Sequence, residues 1–128
     1  MLERAKVQQI PLKVYRAIDR LTIAAPMAGI EPSDILVEVT GDGRLRLDGK
    51  VRAVLKDVKE LLVDEWSSGA YYRDYLLPDS VDGSQATATY GNGVLVVTFP
   101  ITTSTVAARL TLSSTGLAHG MSDNVTMH

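Results

Sequence analysis

Cysteine is absent from this chain of 128 residues. Disulfides, thiolate nucleophiles and Cys-based zinc sites are therefore excluded, and the composition fits a reducing compartment such as the cytoplasm. Aromatic residues are few, seven in all and five of them Tyr. No charge of one sign dominates: a net charge of −2 makes no broad basic field, so nucleic acid is not an expected partner. Long apolar runs are missing too. The longest, near residues 21–30, is too short to cross a bilayer and contains Pro26 and Gly29. The opening Met1-Leu2-Glu3-Arg4-Ala5-Lys6 has no long apolar stretch, so neither a secretory signal nor a membrane partner is expected.

What is present is a hydrophobic fraction of 45%, ordinary for a globular chain, in a length that suits one domain plus tails. The apolar residues follow period two over most of the chain. Val14–Ile18 and Leu21–Ala25 read as strands around the turn Asp19-Arg20. Pro26, Gly29 and Pro32 then break the pattern. Ile35, Val37 and Val39 share the next buried face. Gly41-Asp42-Gly43 is a hairpin turn, after which Arg44-Leu45-Arg46-Leu47-Asp48 alternates with charge out and Leu in. Residues 70–77 place Tyr71, Arg73, Tyr75 and Leu77 on one face, and Pro78 ends the strand. A short strand over 86–90 and an apolar one over 94–99 flank the turn Gly91-Asn92-Gly93. Strand 94–99 is apolar on both faces apart from Thr98, the pattern of a strand covered on both sides. Repeated alternation between turn signals predicts an all-β fold, an antiparallel β-sandwich.

Three segments stand outside that pattern. Residues 1–12 read as an N-terminal arm, with a helical turn or two over 2–10 stopped by Pro11. Residues 51–66 support two readings. Val54, Leu55, Val58, Leu61 and Leu62 have helical spacing, while Leu61–Trp66 also reads as a strand after a loop. Residues 101–128 are rich in Ser and Thr and hold two formal charges, Arg109 and Asp123. They read as a flexible C-terminal extension without fixed structure of its own. Residues 13–100 make the domain between arm and extension.

Nothing in the pattern builds a catalytic, cofactor or metal site. His119 and His128 lie in the extension without partners at ligand spacing. No Gly-x-Ser-x-Gly elbow is present. Both Gly-x-Gly sequences join strand to strand, so no helix N-terminus follows to hold a phosphate.

Asn92-Gly93-Val94-Leu95 leading to Pro100, Tyr71-x-Arg73-x-Tyr75-x-Leu77-Pro78 before it, and Ile35-x-Val37-x-Val39 with Leu45-x-Leu47-x-Gly49 earlier in the chain resemble the α-crystallin domain of the small heat shock proteins. The resemblance covers residues 13–100 and implies an immunoglobulin-like sandwich. It also implies an ATP-independent holdase that captures exposed apolar segments of unfolding client proteins, without enzymatic activity and in the cytoplasm. The implied partners are such clients and the chain itself, as a homodimer or a larger homo-oligomer. Leu110-x-Leu112 resembles the family's C-terminal docking motif. The resemblance would seat it in a neighbouring subunit's groove, lined here by Val37, Val39, Ala86 and Ala88. Leu61, Leu62, Val63 and Trp66 match a segment exchanged between dimer partners in bacterial members, and Arg73 matches an Arg that organises the dimer contact. Arg73 also reads as a side chain that snorkels to water over its Tyr neighbours. An Arg drawn into an apolar face calls for a nearby carboxylate. A non-chaperone, co-chaperone-like interaction module on the same sandwich is the alternative reading.

Overall fold

The computed structural model describes residues 7–51, 60, 62–63, 65 and 69–120. Among these, the alternating segments become strands: β1 (Gln8–Gln9), β2 (Lys13–Arg16), β3 (Arg20–Pro26), β4 (Ile35–Val39), β5 (Arg44–Gly49), β6 (Tyr71–Leu76), β7 (Thr87–Gly91), β8 (Val94–Pro100), β9 (Ala108–Thr111) and β10 (Leu117–His119). They form two five-stranded sheets, β1-β6-β5-β4-β9 and β10-β7-β8-β3-β2. All neighbours are antiparallel except β1 and β6, which run parallel. The sheets face each other through the residues that the period-two reading sorts inward. Ile35, Val37, Val39, Leu45 and Leu47 come from one sheet; Leu21, Ile23, Ala25, Leu95, Val97 and Phe99 come from the other, and all are buried. Removing each of the Val, Leu, Ile and Phe side chains among them from water contributes about 1.5–3 kcal/mol.

Turn chemistry sets the registers. Asn92 and Gly93 both have positive φ, 53° and 78°. Two such residues in a row make the tight hairpin turn whose twist matches the flanking strands, and Gly91 then faces Val94. Tyr90 and Tyr71 tie down the Pro26–Gly29 break: their hydroxyls donate to the carbonyls of Met27 at 2.5 Å and Ala28 at 2.8 Å.

The structure differs from the sequence reading in the described parts of both tails and at β8. Gln8–Ile10 is extended rather than helical. Its amides donate to β6 and the residue before it, Gln8 to the Ala70 carbonyl at 2.6 Å and Ile10 to the Tyr72 carbonyl at 3.1 Å. A nine-residue segment is too short to hold a helix alone, and the edge of β6 offers a ladder instead. The extension has structure through residue 120 because it lies on two sheet edges, with β9 on β4 and β10 on β7. Strand β8 is covered on one face only by the described residues; Val94 and Val96 on its outer face stay partly open to solvent. The helix-or-strand question over 51–66 falls mostly outside the described residues.

Candidate interaction surfaces

The two open sides of a sandwich are where its sheet edges meet. Here each is crossed by a terminal segment. On one side the arm passes from β1 in the first sheet to β2 in the second, and Ile10 at the crossing is completely buried, with Leu12 packed against the core. On the other side the extension passes from β9 to β10 through a turn in which the Gly116 amide donates to the Ser113 carbonyl and the Ser113 amide to the Leu117 carbonyl, both at 2.9 Å.

The second crossing brings together the expected motif and the expected groove. Leu110 stands opposite Val37, and Ala108 opposite Val39. Ala118 stands opposite Ala88, and the Gly120 amide donates to the Ala86 carbonyl at 2.7 Å. Leu110 and Leu112 are 1% and 4% exposed and belong to the same buried cluster as Val37, Val39, Ala86 and Ala88. Motif and groove therefore meet within one chain, where the resemblance placed them on neighbouring subunits. Their alternation explains the fit: Leu110 and Leu112 point inward while Arg109 points out, its guanidinium 3.5 Å from Glu38.

Arg73 lies at the first crossing. It stands opposite Leu47 on the inner face of β6. Its guanidinium donates to the Ile10 carbonyl at 2.8 Å and sits 5.8 Å from the Tyr75 ring centre. The carboxylate that the sequence called for is not among its described contacts. The side chain stays partly exposed, so it keeps part of its hydration beside these two contacts. Of the proposed dimer residues, Leu62 and Val63 are exposed, at 81% and 68%; Leu61 and Trp66 lie outside the described residues. Among the described residues strand β2 forms the outer edge of its sheet; Tyr15 on it and Ile18 just after it are exposed.

Charge is arranged on the outside of the first sheet. Asp74 accepts from Arg44 at 2.7 Å and lies 3.9 Å from Arg46. Arg16 holds Asp79 with two bonds, at 2.8 and 3.2 Å. These bonds raise the guanidinium pKa values of Arg44 and Arg16. The Thr40 hydroxyl donates to Asp42 and lowers its pKa. Burial raises that of Asp48, and Glu38 adds to the effect. Such exposed pairs contribute little net stability. Among the described residues, no group of three or more His, Cys, Asp or Glu is placed to hold a metal ion, and no helix is long and apolar enough to cross a membrane. A depression of about 450 Å³ between Gly41–Gly43, Leu76–Ser80 and Thr103–Thr105 is polar and wide open. It lacks the enclosed apolar walls of a small-molecule site.

Comparison with known proteins decides the family. Residues 14–109 match the model of the Hsp20/alpha crystallin family. The chain belongs to that family. A probable 15 kDa heat shock protein of Leptospira interrogans is 31% identical over 99 residues, which cover 77% of this chain and 74% of that protein. Spore protein SP21 of Stigmatella aurantiaca is 33% identical over 72% of this chain, though the match spans only 54% of the relative. Several plant relatives are likewise matched over about half their length. The crystal structure of a small heat-shock protein from Xylella fastidiosa, described as having a distinct high order structure, superposes with a TM-score of 0.62. It is 26% identical, over 75% of this chain and 88% of that one. Hsp20 membership makes this chain a small heat shock protein on an immunoglobulin-like sandwich. It joins a family of non-enzymatic chaperones. The sequence singled out Arg73 and the Leu110–Leu112 pair by their resemblance to family motifs, and the family match itself spans residues 14–109. The Ile10 crossing was not singled out, since a lone Ile before Pro carries no periodic signal.

Proposed function

We propose that this small heat shock protein is an ATP-independent holdase. It takes up extended apolar segments of unfolding proteins and keeps them from aggregating. One observation supports the reading: Leu110 and Leu112 pack in the same buried cluster as Val37, Val39, Ala86 and Ala88, with Leu110 opposite Val37 on a strand added to β4, the arrangement an extended apolar-x-apolar segment would need. Strand addition of this kind draws affinity from main-chain bonds and selectivity from alternate side chains. That tolerance suits a chaperone with many clients. The proposed division is an arm at 1–12, the domain at 13–100 and an extension at 101–128, acting in the cytoplasm.

The proposed unit is a homodimer, with larger assemblies built from it. The outer edge of β2 and the exposed Leu62 and Val63 support a contact in which residues 61–66 of one copy pair with β2 of another. An edge strand is a template for such pairing. Arg73, close to that side, would steady the contact.

The test heats a model enzyme with and without the protein, in the absence of nucleotide, and follows light scattering. Suppression near one-to-one is the expected result. Unchanged scattering at large excess would overturn the holdase reading and favour the interaction module.

A further inference from the structure

The turn between β7 and β8 is clamped from outside. The Gly93 carbonyl accepts from the Met27 amide at 2.7 Å. A Cβ on Gly93 would stand 3.4 Å from the Cα and Cβ of Ala28, so the glycine packs closely against that residue. Met27 and Ala28 are themselves held by the hydroxyls of Tyr90 and Tyr71. Asn92, on the other side of the turn, is exposed. Asn-Gly is the pair in which a backbone nitrogen attacks the preceding side-chain amide most readily, because glycine puts no Cβ in the way. The chain has one other Asn, Asn124, and the β-branched Val125 that follows it hinders the same attack.

We propose that Asn92 is a spontaneous modification site gated by this turn: the closed turn keeps its side chain unreactive, and opening of the turn exposes it to deamidation. In the open turn the Gly93 nitrogen attacks the Asn92 Cγ and forms a C–N bond. The bond from Cγ to the side-chain nitrogen breaks, and ammonia leaves with the Gly93 proton. Water then hydrolyses one of the two carbonyl–nitrogen bonds of the succinimide, leaving aspartate or isoaspartate. With φ at 53°, Asn92 occupies the left-handed region, where ψ is about +30 to +60°. Ring closure requires the Gly93 nitrogen to swing round until it eclipses the Asn92 Cβ, and that rotation is blocked while Gly93 is pinned to Met27 and Ala28. An aspartate product re-forms the turn, since Asp-Gly suits it as well as Asn-Gly. An isoaspartate product carries an extra methylene in the main chain, so the pairing of Gly91 with Val94 is lost. Opening rises steeply with temperature, and the product is permanent, so each chain keeps a covalent record of the heat that opened it. Neither the groove nor holdase activity enters this chemistry.

The test incubates the full chain in warm, mildly alkaline buffer, with and without guanidinium chloride. Peptide mass spectrometry follows Asn92, with chromatography separating aspartate from isoaspartate, and Asn124 is the internal reference for solvent effects on the chemistry. Conversion of Asn92 in buffer should be about tenfold slower or more than in denaturant, because it scales with the open fraction, and it should rise more steeply with temperature. Tyr90→Phe removes the hydroxyl that steadies Met27; it should speed conversion several-fold in buffer and leave it unchanged in denaturant. In the isoaspartate form, separated by charge, the Met27 amide should lose its hydrogen-exchange protection, whereas Asn92→Asp should keep it. Equal conversion in buffer and denaturant would overturn the proposal, as would a Tyr90→Phe chain that converts no faster than its parent in buffer. Full protection of the Met27 amide in the isoaspartate form would overturn it too.

Discussion

Replacing Leu110 by Ala removes a side chain that is 1% exposed at the centre of the β9 contact. Deleting a buried Leu typically costs about 3 kcal/mol, once the lost transfer energy and the residual cavity are both counted. Leu110 reports chiefly on one element, however, because among the described residues the strand pairing of the β9–β10 hairpin runs along the edges of β4 and β7. Its loss should therefore raise the population of the hairpin-open state before it unfolds the sandwich. At 1.4 kcal/mol per decade, about 3 kcal/mol corresponds to an opening constant roughly a hundredfold larger. Hydrogen exchange followed residue by residue is the assay. Two amides report opening directly: Gly120, which donates to the Ala86 carbonyl at 2.7 Å, and Tyr90, which donates to the Gly116 carbonyl at 2.8 Å. Both should exchange about a hundredfold faster in Leu110→Ala, while amides of β3 and β8 keep their protection. The change should be the same at a tenfold lower protein concentration, because a contact within one chain is indifferent to dilution. Acceleration that grows on dilution would refute the reasoning, as would equal acceleration in β3 and β8.

Two further perturbations probe the other crossing and the outer face. Arg73→Ala removes the donor to the Ile10 carbonyl; a hydrogen bond from a charged group contributes about 1.5–3 kcal/mol, less where water has access, so limited proteolysis should cut near Lys13 sooner while the core stays folded. Asp48 has a folded-state pKa raised by burial and by Glu38. The folded state therefore binds its proton more tightly than the unfolded one, and stability falls as pH rises through that pKa. Asp48→Asn should raise the urea midpoint near pH 7 and leave it little changed near pH 3; an equal gain at both would assign the effect to something other than charge.

The strands of the sandwich were readable because each carries its own instruction. Val37 and Val39 alternate with Glu38, and Leu45 and Leu47 alternate with Arg44 and Arg46, so the inner face is written in period two without reference to the rest of the fold. Where the instruction depended on a partner, it was hidden. Gln8–Gln9 has no apolar rhythm; it is a strand because β6 has an unfilled edge. Arg73 finds its acceptor in the backbone of Ile10, and a carbonyl leaves no mark in a list of side chains.

The extension shows the same division within three residues. Leu110-x-Leu112 announces an apolar pair that wants a groove, and the groove residues are equally legible. Which chain supplies the groove is decided elsewhere, by the length of the linker and by Gly83, whose missing side chain lets Val106 approach. A motif specifies the chemistry of a contact, while a tether specifies its concentration. When the two edges to be covered belong to one sandwich and a single short turn joins β9 to β10, closure within the chain costs only the ordering of its own hairpin. Closure between chains costs association entropy as well. The groove is therefore satisfied within its own chain.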